Sequence, residues 1–154
     1  MSASAGELRD FIETDLPALV DLWVAAWSET GLSINFDARR AWLIGHLRAL
    51  RAAGGEIVVG LDAGRRPAGF AAIDAKSGYL DQLCVAPRER GSGLASALIG
   101  EAKRRSPGVI ELDVNETNPR ARRFYDREGF AIVGRGVNLQ SGLPTLRMRW
   151  REME

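Results

Sequence analysis

The chain has 154 residues, 45% of them hydrophobic and 27% charged, a size and mix that suit one globular domain spanning 1–154. Its 21 Lys and Arg against 20 Asp and Glu give a formal net charge of +1, which offers no sign of a nucleic-acid partner. With Cys84 as its one cysteine, the chain has no internal disulfide and no CxxC metal or redox site, and no metal is expected.

The N-terminal stretch lacks the apolar core of a signal peptide, and no apolar run approaches membrane-spanning length. The expected location is the cytoplasm, with no membrane partner. Leu8 to Glu13 reads as a short first strand. Asp15 reads as a helix cap before Leu16-Pro17, and Leu19, Leu22, Trp23, Ala26 and Trp27 recur at helical spacing until Gly31. A second helix is predicted from Asp37, its cap, to about Ala52, ended by Gly54-Gly55. His46, the only histidine, falls in this helix among Trp42, Leu43, Leu47 and Leu50 and is read as a helix-surface residue, not a catalytic one.

Three strands follow: Glu56 to Leu61, Gly69 to Ala75 and Tyr79 to Val85, joined by short turns that imply an antiparallel meander. The pattern then changes. A loop from Pro87 to Gly93 opens a helix with Leu94, Ala95, Leu98, Ile99 and Ala102 on one side. Val109 to Val114 is a strand. Asn118-Pro119 opens another helix, closed by Gly129, and Phe130 to Gly136 pairs with Leu143 to Trp150 in a final hairpin.

The loop carries the first chemical signal. A strand feeds Arg88-Glu89-Arg90-Gly91-Ser92-Gly93, and the first N–H groups of the next helix have no internal partners. They point outward with the positive end of the helix dipole. Gly91 and Gly93 let an anion approach the backbone, and Arg88 and Arg90 add positive charge. Taken alone, the loop is also compatible with an ordinary strand-to-helix connection. A Rossmann dinucleotide site fits poorly, because Ser96 stands where a third glycine is wanted and the loop comes late in the chain.

The second signal is Asn118-x-x-Ala121-x-x-Phe124-Tyr125-x-x-x-Gly129-Phe130. Ala121 and Tyr125 are one helical turn apart. Asn118 sits at the helix mouth, where its amide either caps the helix or reaches a ligand. In combination, these runs resemble the GNAT superfamily of N-acetyltransferases. The loop Arg88-x-x-Gly91-x-Gly93 is similar to that family's Arg/Gln-x-x-Gly-x-Gly/Ala signature, and the Asn118–Phe130 run to its second signature. The resemblance covers roughly Glu56 to Trp150.

It implies an α/β fold with a central mixed, mainly antiparallel sheet of six to seven strands, splayed in the middle and flanked by about four helices. It implies an acetyl-CoA-dependent N-acetyltransferase acting on a primary amine of a small molecule or peptide, with a non-catalytic acyl-CoA-binding or sensor domain as the alternative. The backbone amides of Arg90, Gly91, Ser92, Gly93, Leu94 and Ala95 would hold the CoA pyrophosphate, with Arg88 beginning the loop. Leu83, Cys84 and Val85 would pair with pantetheine beside a bulge, and a free N–H at Leu83 would face the thioester oxygen. Asn118, Ala121, Phe124 and Tyr125 would line the CoA arm, with the Tyr125 phenol protonating the leaving sulfur.

The resemblance makes Asp81 or Glu111 the candidate base, with Asp81 ranked first on a face shared with Tyr79 and Leu83, subject to the bulge; the alternative is an acceptor amine that loses its proton to solvent without a dedicated base. Asp113 is read as facing solvent. A covalent role for Cys84 is set aside, since no histidine partner is placed beside it. Arg120, Arg122 and Arg123 either meet CoA phosphates or form a solvated face. Trp23, Trp27, Phe36, Trp42 and Tyr79 are candidates for the acceptor's walls, although Trp23 and Trp27 equally suit a core stripe. The segment from Thr30 to Asp37 is a candidate lid. A homodimer is left open.

Overall fold

In a computed structural model, which describes residues 7–153, seven strands and four α-helices alternate along the chain. They are β1 (Leu8–Asp10), α1 (Leu16–Ser28), α2 (Arg40–Ala52), β2 (Glu56–Leu61), β3 (Pro67–Ile73), β4 (Leu80–Val85), α3 (Leu94–Arg105), β5 (Val109–Asn115), α4 (Pro119–Arg127), β6 (Ala131–Val137) and β7 (Pro144–Arg151). Short 3-10 turns occupy Glu13–Asp15, Asp37–Arg39 and Pro87–Glu89.

Four local expectations need correction. The first strand stops at Asp10, and β3 covers Pro67–Ile73, because Asp74 opens a turn by accepting the Lys76 N–H at 2.9 Å. Asp15 does not cap α1. The 3-10 turn runs straight into the helix, with the Leu16 N–H bonded to Glu13. The Asp15 carboxylate is buried, taking two bonds of 2.8 Å from Arg9 and one of 2.9 Å from the Ile12 N–H. Asp37 pairs with Arg40 at 2.6 Å, and it is Asn35 that accepts a helix-end N–H, from Ala38 at 3.2 Å.

The strands form two antiparallel sheets, ordered β1-β2-β3-β4 and β5-β7-β6. A single parallel bridge between Tyr79 and Glu111 joins them, with the Glu111 N–H donating to the Gly78 carbonyl at 3.1 Å. Gly78 makes this approach possible, since a Cβ there would lie 2.0 Å from the Val109 carbonyl oxygen. Past the bridge, β4 pairs only with β3, and β5 only with β7. The two parallel strands therefore part and leave a gap.

Packing follows the pleat, because successive side chains of a strand face opposite sides. On one face, Ile57, Val59, Leu61, Phe70, Ala72 and Cys84 pack with α1 and α2. On the other, Val58, Ala71, Ile73 and Leu80 pack with α3, β5, α4 and β7. Strands β2 and β3 are covered on both faces, which is why they read as unbroken apolar runs. Among the described residues, no helix is long and apolar enough to cross a membrane.

Candidate acyl-transfer site

The loop between β4 and α3 is built around two left-handed glycines, Gly91 at φ +81° and Gly93 at φ +90°. An L side chain is strained in that region, so the sequence uses glycine to turn the chain into the helix. Three of the six amides expected to hold a pyrophosphate are already engaged: Arg90 N–H to Pro87 at 3.2 Å, Ser92 N–H to Glu89 at 3.1 Å, and Leu94 N–H to the Ser92 hydroxyl at 3.2 Å. The N–H groups of Gly91, Gly93, Ala95 and Ser96 have no acceptor among the described residues. Ser96 was not anticipated; helix geometry alone supplies its unpaired donor. A Cβ on Gly91 would meet nothing within 4 Å, so open space lies above this part of the loop.

The two loop arginines point elsewhere. Arg88 pairs with Asp62 at 3.2 Å and the Pro67 carbonyl at 3.3 Å, and Arg90 with Glu29 at 2.8 Å. Carboxylates thus compensate their charge, which leaves the unpaired main-chain amides and the helix dipole as the positive features of the loop. On α4, Arg120, Arg122 and Arg123 are exposed. Asn118 acts as the cap, its Oδ1 accepting the Ala121 N–H at 3.2 Å.

The gap is edged by β4. The Ala86 N–H donates toward β3, to Ala68 at 2.7 Å. Alternation along the strand then sends the Leu83 and Val85 N–H groups to the opposite edge, into the gap. Tyr125 stands on the α4 side. It is 8% exposed and packs edge-on against Phe124 and Phe130, at centroid distances of 5.3 and 5.4 Å. Its hydroxyl has no partner among the described residues, yet no buried side-chain polar atom among them lacks one. The hydroxyl oxygen therefore touches open space. Burial, with a smaller push from the Cys84 thiol, raises the phenol above its ordinary 10.0, so it holds its proton at neutral pH. The Cys84 thiol is buried and pushed up to about 12, a poor nucleophile.

The carboxylates separate cleanly. Glu111 is held by Arg149 at 2.6 Å and Arg147 at 3.5 Å. Asp113 does not merely face solvent. It accepts the Tyr79 hydroxyl at 2.8 Å and pairs with Arg147 at 2.9 Å. Burial opposes its ionisation, but the Arg147 and Tyr79 hydrogen bonds outweigh that and hold its carboxyl below the usual value.

Asp81 is different, because β4 carries a bulge there. Gln82 faces Ala72 and Leu80 faces Ile73, which leaves Asp81 without a cross-strand partner. The extra residue puts Asp81 and Gln82 on the same face, toward α1 and α2. Gln82 meets Trp23 Nε1 at 3.3 Å, and Asp81 meets His46 Nε2 at 2.6 Å. Leu83 turns to the other core, so Asp81 does not share its face. The contact with His46 was missed in the sequence, where His46 reads as surface.

The aromatic residues also sort themselves. Trp23 and Phe36, each 4% exposed, lie in the first core, with Trp27 packed against them. Phe36 is therefore packed as a core residue. Trp42 is half-exposed and stacks on His46 with centroids 4.7 Å apart. Tyr79 lines an open cleft with His46 and Asp81.

Comparison with known proteins decides the family. The profile of the acetyltransferase (GNAT) domain matches residues 46–152. The chain belongs to the GNAT acetyltransferases. It is 28% identical to the peptidyl-lysine N-acetyltransferase YiaC of Escherichia coli over 151 residues, covering 93% of this chain and 95% of that protein. The solution structure of apo-form YjaB from E. coli matches with a TM-score of 0.75 at 25% identity, over 96% of this chain and 98% of that one. The structure of yncA from Salmonella typhimurium with its cofactor acetyl-CoA shares the fold, with a TM-score of 0.66 at 22% identity over 97% and 95% of the two chains. As a GNAT member the chain is an acyltransferase, and its splayed seven-strand architecture is that of its structural neighbours.

Proposed function

We propose that this GNAT protein moves the acetyl group of acetyl-CoA to a primary amine, with the lysine side chain of a peptide or protein as the acceptor. The observation that carries the reading is the parting of β4 from β5, with unpaired loop amides at one end and an unpartnered, buried phenol at its side. The open space over Gly91 and the free N–H groups of Gly91, Gly93, Ala95 and Ser96 suit a pyrophosphate. Leu83, Cys84 and Val85 offer a strand edge to pantetheine, and Phe124, Ala121 and Asn118 flank the α4 side. Arg120, in the first turn of α4, adds positive charge beside Asn118. The choice of a lysine acceptor draws on the name of the relative YiaC.

Acetyl-CoA supplies an activated thioester. The Leu83 N–H stabilises negative charge on the carbonyl oxygen. Tyr125 keeps its proton until the sulfur leaves and then donates it. Holding donor and amine in one gap removes much of the entropic barrier.

Calorimetric titration with acetyl-CoA, CoA and longer acyl-CoAs tests the donor, and binding by none of them refutes it. Release of CoA with a panel of lysine peptides and small amines tests the transfer. Tyr125→Phe is expected to lower kcat by roughly 10²-fold with acetyl-CoA affinity unchanged, and an equal kcat removes the phenol from the chemistry.

A further inference from the structure

Between α2 and the β3–β4 hairpin lies a cleft of about 340 Å³, whose lining includes His46, Ala49, Leu50, Asp74, Tyr79 and Asp81. Ala49 and Leu50 give the lining apolar residues, and Asp74 and Asp81 give it acidic ones. That is the complement of a primary ammonium on a short alkyl arm. Tyr79 connects the cleft to the gap, since it also bridges to Glu111 where β4 and β5 part. The bulge residue Asp81 follows just beyond that bridge.

His46 is held by two independent contacts. Its ring stacks on Trp42 with planes 13° apart, and its Nε2 bonds Asp81 Oδ1 at 2.6 Å. Gln82 Nε2 also donates to that carboxylate oxygen at 3.3 Å. Neither Nδ1 of His46 nor Oδ2 of Asp81 has a partner among the described residues. A carboxylate on one ring nitrogen keeps the proton there, leaves the other nitrogen free to accept one, and stabilises the imidazolium that forms. The titratable groups facing the ring are Asp81 from β4, with Tyr79 and Asp74 across the cleft. Among the described residues no arginine pairs with Asp81, whereas Glu111 and Asp113 are both neutralised.

We propose that His46, oriented by Asp81, is the proton acceptor of the acetyl transfer, acting on a primary alkylammonium acceptor seated in this cleft. The assignment rests on the acyl-transfer reading above. The ammonium gives one proton to His46 Nδ1 and becomes a neutral amine. The nitrogen lone pair forms the C–N bond at the acetyl carbonyl, and the C–S bond breaks. The second nitrogen proton passes to solvent, and the thiolate takes the proton of Tyr125. Solvent then reprotonates Tyr125 and deprotonates His46, so one proton is released per turnover.

The test compares the full chain with His46→Gln and Asp81→Asn. Glutamine can still donate to Asp81, but it cannot take up the proton. His46→Gln is expected to lower kcat about 10²-fold or more, with thermal stability and acetyl-CoA affinity unchanged. It should also erase the acidic limb of the wild-type pH–rate profile. A second readout needs no turnover. His46 is the only histidine, so every imidazole signal in a nitrogen–proton NMR spectrum is its own. The wild type should show the proton fixed on Nε2, Asp81→Asn should show a mixture of tautomers, and n-butylamine should shift the signals. Wild-type kcat and pH profile in His46→Gln would overturn this assignment and leave acetyl transfer standing. No transfer to any amine by the wild type would overturn both.

Discussion

The sharpest test of the donor site is a single methyl group at Gly91. The backbone there has φ +81°, and a Cβ would meet no atom within 4 Å. Gly91→Ala therefore costs the folded chain only the left-handed penalty, about 1–2 kcal/mol, with no clash added. For a chain of this size that lowers Tm by roughly 2–8 °C. Gly142, in the β6–β7 turn, has φ +75° and equally empty surroundings, so Gly142→Ala should lose a similar amount. Binding should tell them apart. In the proposed donor site the new methyl at Gly91 would occupy the space through which a diphosphate reaches the Gly91 and Gly93 amides. Losing one hydrogen bond to a charged group costs about 1.5–3 kcal/mol, roughly one to two decades in Kd. Thermal unfolding without ligand and calorimetric titration with acetyl-CoA measure the two effects separately. If both variants lose the same Tm and Gly91→Ala binds acetyl-CoA as the wild type does, the loop is a turn and not an anion cradle.

Two further outcomes follow from side chains that proved to be committed elsewhere. Because Arg88 is held by Asp62 and the Pro67 carbonyl, Arg88→Gln should change acetyl-CoA affinity by less than about twofold; a tenfold loss in titration would mean that the guanidinium serves the phosphates after all. Asp15→Asn should destabilise the fold at pH 7 by about 1.5–3 kcal/mol in urea unfolding, since it weakens the Arg9 and Ile12 bonds to a buried carboxylate. Burial opposes the Asp15 charge, but those bonds outweigh it and lower its pKa below 3.8. Its contribution is thus present above the unfolded value and lost as pH falls through the lower folded one, so the difference between variant and wild type should close under acid. A gap that persists there contradicts the linkage.

The loop turn and the α4 cap were legible because their determinants are local. Glycines at fixed spacing in the loop and a cap, an alanine and a tyrosine at helical spacing on α4 are properties of short runs. What was illegible depends on distant side chains. Arg90 finds Glu29 at the end of α1, 61 positions away, and His46 finds Asp81 35 positions away. The helical pattern put Leu43 and Leu47 in the core and left His46 at the edge of that stripe, which reads as surface. Helix periodicity carries no information about which strand residue will stand opposite that edge. The caps failed for a similar reason, because 3-10 turns run directly into α1 and α2, and the Asp15 and Asp37 carboxylates are taken up by Arg9 and Arg40.

The bulge in β4 did have a sequence signal. In Leu80-Asp81-Gln82-Leu83 two polar residues stand side by side between two leucines that both pack into the second core. Strict alternation would send either Gln82 or a leucine to the wrong face. An unbulged strand with Leu80 inward would press the Gln82 amide among Leu98, Ile99 and Ile110, a burial that costs about 1–3 kcal/mol without a partner. The extra residue removes that conflict. Both leucines reach the second core, Gln82 meets the Trp23 indole, and Asp81 is pushed onto the cleft where His46 waits. The same distortion sits where β4 leaves β5, so the packing need that creates the bulge also sets the carboxylate and imidazole at the mouth of the gap.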